Sequence, residues 1–450
     1  MPKHRETRAW RRTHASFTLC AIAPLAAACS GDTIDLGNNR GPLTATATSP
    51  SCDIPTDSGN SVIVFNQADV DRLAGCTTLP NLFVVPFENP DFTPLASLVR
   101  IEGEAELGQF NLPDDIVDGD ELDAFSDELT RLLASGWLNS LEGFEALEQI
   151  GNLRVNGLGV SSLESLSNLR ALTDGGLLEI NGCTALRDLT GLENLAGVVE
   201  LIVFCETLES LRGFDFPDVM GTLTIGAPLT DLGAFDASRV GYLSLGGTAL
   251  TNLDGLSSLA SADSVVIGGN PELVDVGGLD GLSGNLDLNV NGNFALETLP
   301  DFPRVQGLTS LQVVANSALR NLPAFPGILE SFERMSEFTP PAPAPFWFDV
   351  DQVRVSLNPA LEAIAIPRAL TAASVVEIDS NAALKTIAFS DVESMNELFI
   401  ADNPALESVD LGALERVDSL TLVNNPLLSP AAFDGVQVSQ ISEGELDEEP

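Results

Sequence analysis

The 450-residue sequence predicts a mainly β protein with short helical elements, built as a parallel β-solenoid of at least twelve coils. Two observations carry this reading. Three-residue apolar-x-apolar runs return at a nearly fixed interval. In the second half of the chain, each run is followed by an Asn that stands three residues before a Leu.

The runs begin at Leu153, Leu178, Leu201, Leu223, Leu243, Val265, Leu288, Leu311, Val353, Val376, Leu398 and Leu420. Their spacing stays in the low twenties except for one interval of 42, close to two periods. A three-residue strand cannot bury its apolar face alone. Coils stacked about 4.8 Å apart pair such strands into one parallel sheet, and Leu from the rest of each coil fills the interior.

The Asn column comprises Asn270, Asn293, Asn316, Asn358, Asn381, Asn403 and Asn425. A turn into the core strands backbone N–H and C=O groups, and buried unpaired groups are costly. An inward Asn supplies both a donor and an acceptor, so the column reads as a structural ladder. Between 223 and 250 the Asn is missing, and Pro228 and Thr248 stand in its place. The pattern Leu-x-Ile-x-x-Asn-Pro-x-Leu resembles the receptor L-domain, a leucine-rich-repeat-like β-solenoid. The resemblance runs from about Cys52 to Leu428 and is strongest from 265 to 428. It implies a binding role and names no catalytic residue. The opening SVIVFNQADVDRLAGCTTLPNLFVV is similar to that family's first coil, which a disulfide closes.

The remaining segments follow in order. Residues 1–28 hold a basic start (Lys3, Arg5, Arg8, Arg11, Arg12) and a short apolar run from Ala15 to Ala28, the layout of a secretory signal. The run is too short to span a bilayer, which needs about 20 residues. Leu25-Ala26-Ala27-Ala28-Cys29 resembles the lipobox of bacterial lipoproteins, with the large aliphatic residue four rather than three positions before the Cys. That resemblance implies a lipidated Cys29, and Ser30 after it implies sorting to the outer membrane or cell surface. An unmodified Cys29 on a secreted chain is the alternative. Residues 29–51, rich in Gly, Thr, Asn and Pro, read as a flexible tether, and 52–438 as the solenoid. Leu122, Phe125, Leu129 and Leu132 recur at helical spacing, so 114–136 reads as a helical insert that Gly136 stops. Residues 328–352 form a Pro- and aromatic-rich insert holding the long interval, either as one hidden irregular coil with a Pro-rich loop or as a divider between two halves. Residues 439–450 read as an acidic disordered tail.

Cys52 and Cys76 flank the opening coil, and an exported chain permits their disulfide. Cys183 and Cys205 each lie three residues before a Leu, in the Asn column of adjacent coils. Coils about 4.8 Å apart place their Cα atoms within disulfide range, with two buried free thiols as the other reading.

The chain carries 65 acidic against 21 basic residues, formally −44. Such a surface repels nucleic acid and anionic lipid. Its only histidines, His4 and His14, lie in the segment read as removed, which leaves no imidazole base or metal ligand. Walker A and G-x-S-x-G patterns are absent, and DDIVDGDELDAF fails as an EF-hand because Ile116 and Phe125 fall on ligand positions. No cofactor or metal is expected. The expected role is non-enzymatic: a cell-surface binding or adhesion lipoprotein, held to the membrane by its lipid, that recognises a protein or glycan through a solenoid face. A structural envelope protein without a discrete ligand is the alternative. One outward column, from Arg154 and Glu179 to Phe399 and Thr421, mixes polar and apolar residues. The aromatic cluster Phe346, Trp347 and Phe348 behind four prolines reads either as a recognition anchor or as rings that plug the core.

Overall fold

The computed structural model describes residues 60–108, 130–233, 235–322, 325, 352–366, 375–389 and 392–443. The chain is a parallel β-solenoid of about 15 turns. The main sheet starts with the strands Ser61–Val64, Asn81–Val84, Arg100–Leu107 and Gln149–Asn156, each parallel to the one before. It then runs without a break to Arg416–Val423 and Gln437–Glu443. At about 4.8 Å per strand the stack is roughly 70 Å long.

The register follows the periodicity of the sequence. Leu153 pairs with Leu178, Leu178 with Leu201, and every later member of the apolar column pairs with the next, ending at Leu398 with Leu420. The column extends back through Ala105, Leu82 and Val62, and forward to Ile441. All members from Val62 to Leu420 are buried. Alternation within each strand then places the intervening residues on the opposite, outward face.

Across the 42-residue interval, Leu311 pairs directly with Val353 and Gln312 with Arg354. No coil of the main sheet is inserted there, and the sheet does not divide in two. The insert 328–351 itself lies outside the described residues. Of the predicted helix 114–136, only the end is described: 130–135 are helical and Gly136 stops them at φ 68°. The predicted tail begins too early. Gln437–Glu443 pairs along Arg416–Val423, so 439–443 belong to the sheet, because that neighbour supplies backbone partners and Val438 aligns with the buried Val417.

The first coil is fixed by a short helix, Gln67–Asp71. Its N-cap Asn66 accepts the Asp69 N–H, and Val70 is buried. The wall opposite the main sheet changes along the stack. In the earlier coils it is made of 3-10 turns such as Glu164–Leu166, Asp254–Leu256 and Gly277–Leu279, each inserting a Leu. A side-chain oxygen at Ser162, Asp188, Ser210, Asp231, Asn252 or Asp275 accepts the N–H two residues on. These Asx- and Ser-turns compete with strand formation. Gly191 completes one of them: its φ is 112°, and a Cβ there would sit 2.3 Å from the Leu163 backbone. In the last coils, AIAI, TIAF and SVD replace the turn residues, and Ala363–Ile366, Thr386–Phe389 and Ser408–Asp410 form a second parallel sheet. Between the two regimes Phe302 and Phe325, both fully buried, stack with centroids 5.4 Å apart.

Candidate functional site: the outward face of the main sheet

The ladder that holds the strands in register is continuous. Each Oδ1 accepts the backbone N–H of the Asn one coil earlier, at 3.0–3.1 Å from Asn270 through Asn403. Each Nδ2 donates to a strand carbonyl of the preceding coil, as Asn293 does to Ile267 at 2.9 Å and Asn358 to Val313 at 2.9 Å. Thr248 heads the column, giving both its N–H and its hydroxyl to Asn270 Oδ1. Six of the seven Asn are buried, and Asn425, at the last rung, is half-buried. Ahead of each ladder residue the backbone is left-handed: Gly247, Gly269, Gly292, Ala315, Leu357, Ser380, Asp402 and Asn424 all have φ between 51° and 67°. After it, Leu273 through Leu428 each donate an N–H to the carbonyl of the Asn three residues back, closing a turn. Pro271, Pro359, Pro404 and Pro426 sit at the second position of that turn, which fixes φ favourably.

The cysteines fall as the column predicts. Cys183 and Cys205 are cross-strand partners with Cα atoms 4.7 Å apart, within disulfide distance. Cys76 is buried and disulfide-bonded. Cys52, Cys29, Phe346, Trp347 and Phe348 lie outside the described residues.

Three adjacent columns run along the outward face. The middle one runs Arg154, Glu179, Ile202, Thr224, Ser244, Val266, Asn289, Gln312, Arg354, Glu377, Phe399 and Thr421, with every neighbour a register partner. One flanking column includes Glu200, Thr222, Tyr242, Ser264, Asp287 and Ser310. The other includes Asn181, Phe204, Gly226, Gly246, Gly268, Asn291 and Val314.

Charge is distributed unevenly on this face. Near its start, Arg154 pairs with both Glu104 and Glu179, the latter at 3.0 Å. Further on, Arg354 pairs with Glu377 at 3.5 Å. Between these clusters, from Val219–Gly226 to Arg304–Val314, the three columns carry a single carboxylate, Asp287, while Arg239 and Asp263 on the same strands pair with each other beside Tyr242 and Ser264. Burial raises its pKa, partly opposed by hydrogen bonds from Ser264 and Ser310. Asn289 donates to Gln312 at 3.3 Å, and Asn291 to Asn289 at 2.8 Å. At the border Phe204 is 42% exposed, and its ring edge occupies the space that a Cβ on Gly226 would need.

The single outward column readable from sequence is already uncharged from Ile202 to Gln312, and the flanking columns show that the neutral stretch is three residues wide. The signal was present as Gly, Ser, Thr and Asn at alternate strand positions. Among the described residues no cluster of His, Cys, Asp and Glu is placed to hold a metal ion, and no helix is long and apolar enough to cross a membrane. No protein-family model matches the chain, and no curated protein matches it either.

Proposed function

We propose that the protein is a non-enzymatic binding or adhesion lipoprotein of the cell surface, of receptor L-domain type, that recognises a protein or glycan along its main sheet. The observation that carries this reading is the unbroken outward face, whose side chains stand in fixed rows over a rigid, ladder-locked core. Such rows present a preorganised surface, which lowers the ordering cost of binding. The export signal and Cys29 in the lipobox-like Leu25–Cys29 supply the address and the anchor. The exposed Phe204 on an otherwise regular face favours recognition over a purely structural envelope role.

Two measurements test it. Labelled fatty acid should enter the wild-type chain and not Cys29→Ser; equal labelling of both removes the anchor. The full chain immobilised on beads should retain a saturable component from envelope or glycan extracts, and retention of nothing would leave the structural role.

A further inference from the structure

We propose that the neutral middle of the outward face, bordered by Phe204, binds an uncharged glycan chain. This rests on the recognition reading above and narrows its partner to one chemical class.

Charge comes first. In a chain of formal net charge −44, the strands from Val219–Gly226 to Arg304–Val314 present one carboxylate on their three outward columns. Ion-paired clusters around Arg154 and Arg354 bracket them, and the ion pair on these strands beside the columns, Arg239 with Asp263 at 3.3 Å, is internally neutralised. With 65 acidic residues in the chain, a basic partner has more complementary charge elsewhere, and the net negative charge disfavours an anionic one. An uncharged ligand is the class this stretch matches.

Composition then separates glycan from protein. Protein interfaces are anchored by clustered large apolar, aromatic and Arg side chains and are depleted in Ser. Here eleven of the fifteen column positions are Ser, Thr, Asn, Gln or Gly, and the others are Tyr242, Val266, Asp287 and Val314. Ser264, Asn289 and Gln312 can each both donate and accept, which is what a hydroxyl-covered ligand requires. Tyr242, the only tyrosine of the chain, adds a half-buried ring with a polar tip in the column beside Ser244. Phe204 adds an exposed ring at the border, and Gly226 leaves room for it. Aromatic rings beside amides and hydroxyls suit the apolar and polar faces of a sugar ring together. The rows repeat every ~4.8 Å along the stack, so a polymer laid along the solenoid axis meets a new row of outward side chains at each step.

The test is calorimetric titration of the full chain with neutral hexasaccharides, β-1,4-linked glucose, β-1,4-linked N-acetylglucosamine and α-1,4-linked glucose, and with hexagalacturonate as the anionic counterpart. At least one neutral hexamer should bind and the anionic one should not. The affinity should change by less than about twofold between roughly 50 and 500 mM salt, because no counterions are released. Tyr242→Ala and Gln312→Ala should each weaken binding by about tenfold or more, Tyr242→Phe by less, and Arg354→Ala outside the stretch by less than about twofold. Thermal midpoints identify folded variants, and Tyr242→Phe serves if Tyr242→Ala does not fold. Absence of binding by all neutral hexamers overturns the inference, as does binding indifferent to both substitutions in folded chains. Retention of an envelope protein without saccharide binding would overturn the glycan assignment and leave recognition standing. Retention of nothing together with no saccharide binding would remove both.

Discussion

Replacing Asn358 by Leu probes the ladder where the chain makes its longest detour. Asn358 is fully buried. Its Oδ1 accepts from the Asn316 N–H at 3.0 Å and from Asn316 Nδ2 at 3.4 Å. Its Nδ2 donates to Val313 at 2.9 Å and to Ser356 at 2.8 Å. Leu is similar in size and supplies neither group. The Asn316 N–H is left without its acceptor, and the Val313 carbonyl loses a donor. At about 1–3 kcal/mol for each buried group so stranded, Asn358→Leu should cost about 4 kcal/mol, less whatever the extra apolar contact returns. Urea denaturation gives the total, and hydrogen exchange of the peptide holding Asn316 gives the local effect, since solenoids lose structure coil by coil. Leu at the exposed Asn396, outside the column, should cost much less. Equal effects at the two sites would refute the ladder as the element that fixes register. Asn358→Asp sharpens the test. The acceptor remains, but a buried carboxylate would face the Val313 and Ser356 carbonyls, which raises its pKa above the unfolded value. The stability of that variant should therefore be greater in acid and fall as pH rises through the folded pKa.

Other outcomes follow from the same geometry. Leu357 is 53% exposed and holds φ at 58°, so Leu357→Gly should relieve left-handed strain and raise stability by up to about 1 kcal/mol; a lower thermal midpoint would contradict this. Phe302→Ala removes half of a buried stacked pair and should cost about 3–5 kcal/mol by urea denaturation, and a loss under about 1 kcal/mol would mean the pair is not core. Asp287 has its pKa raised chiefly by burial, so its folded value exceeds its unfolded one and its contribution favours acid. Asp287→Asn should thus raise stability at neutral pH relative to acid, and a loss confined to neutral pH would reverse the assignment.

Much of this architecture was legible in the sequence because the physics that builds it is local and periodic. The apolar runs mark the strand column because each strand is too short to be anything but repeated. Asn before x-x-Leu marks the ladder because few side chains can both donate and accept in a buried turn. The adjacent left-handed position was not legible. Gly marks it at Gly269 and Gly292, but Ala315, Leu357 and Ser380 adopt the same φ because the ladder bonds on either side hold them there. The 42-residue interval was ambiguous for a different reason: a hidden coil and a detour both satisfy two periods. Only the pairing of Leu311 with Val353 decides between them. The neutral stretch was visible in the middle column from Ile202 to Gln312, but its width was not, because the flanking columns depend on the strand register.

The account stands on one uninterrupted face, and an engineered disulfide across the long interval tests it most directly. Gln312 and Arg354 are register partners on adjacent strands, and Glu377 lies one strand beyond Arg354. Adjacent strands lie about 4.8 Å apart and next-but-one strands about 9.6 Å apart, beyond the roughly 7 Å limit for a disulfide. Gln312→Cys with Arg354→Cys should crosslink on oxidation, and Gln312→Cys with Glu377→Cys should not. No crosslink in the first pair, in a chain whose thermal midpoint is otherwise unchanged, would place a coil between these strands and break the face in two.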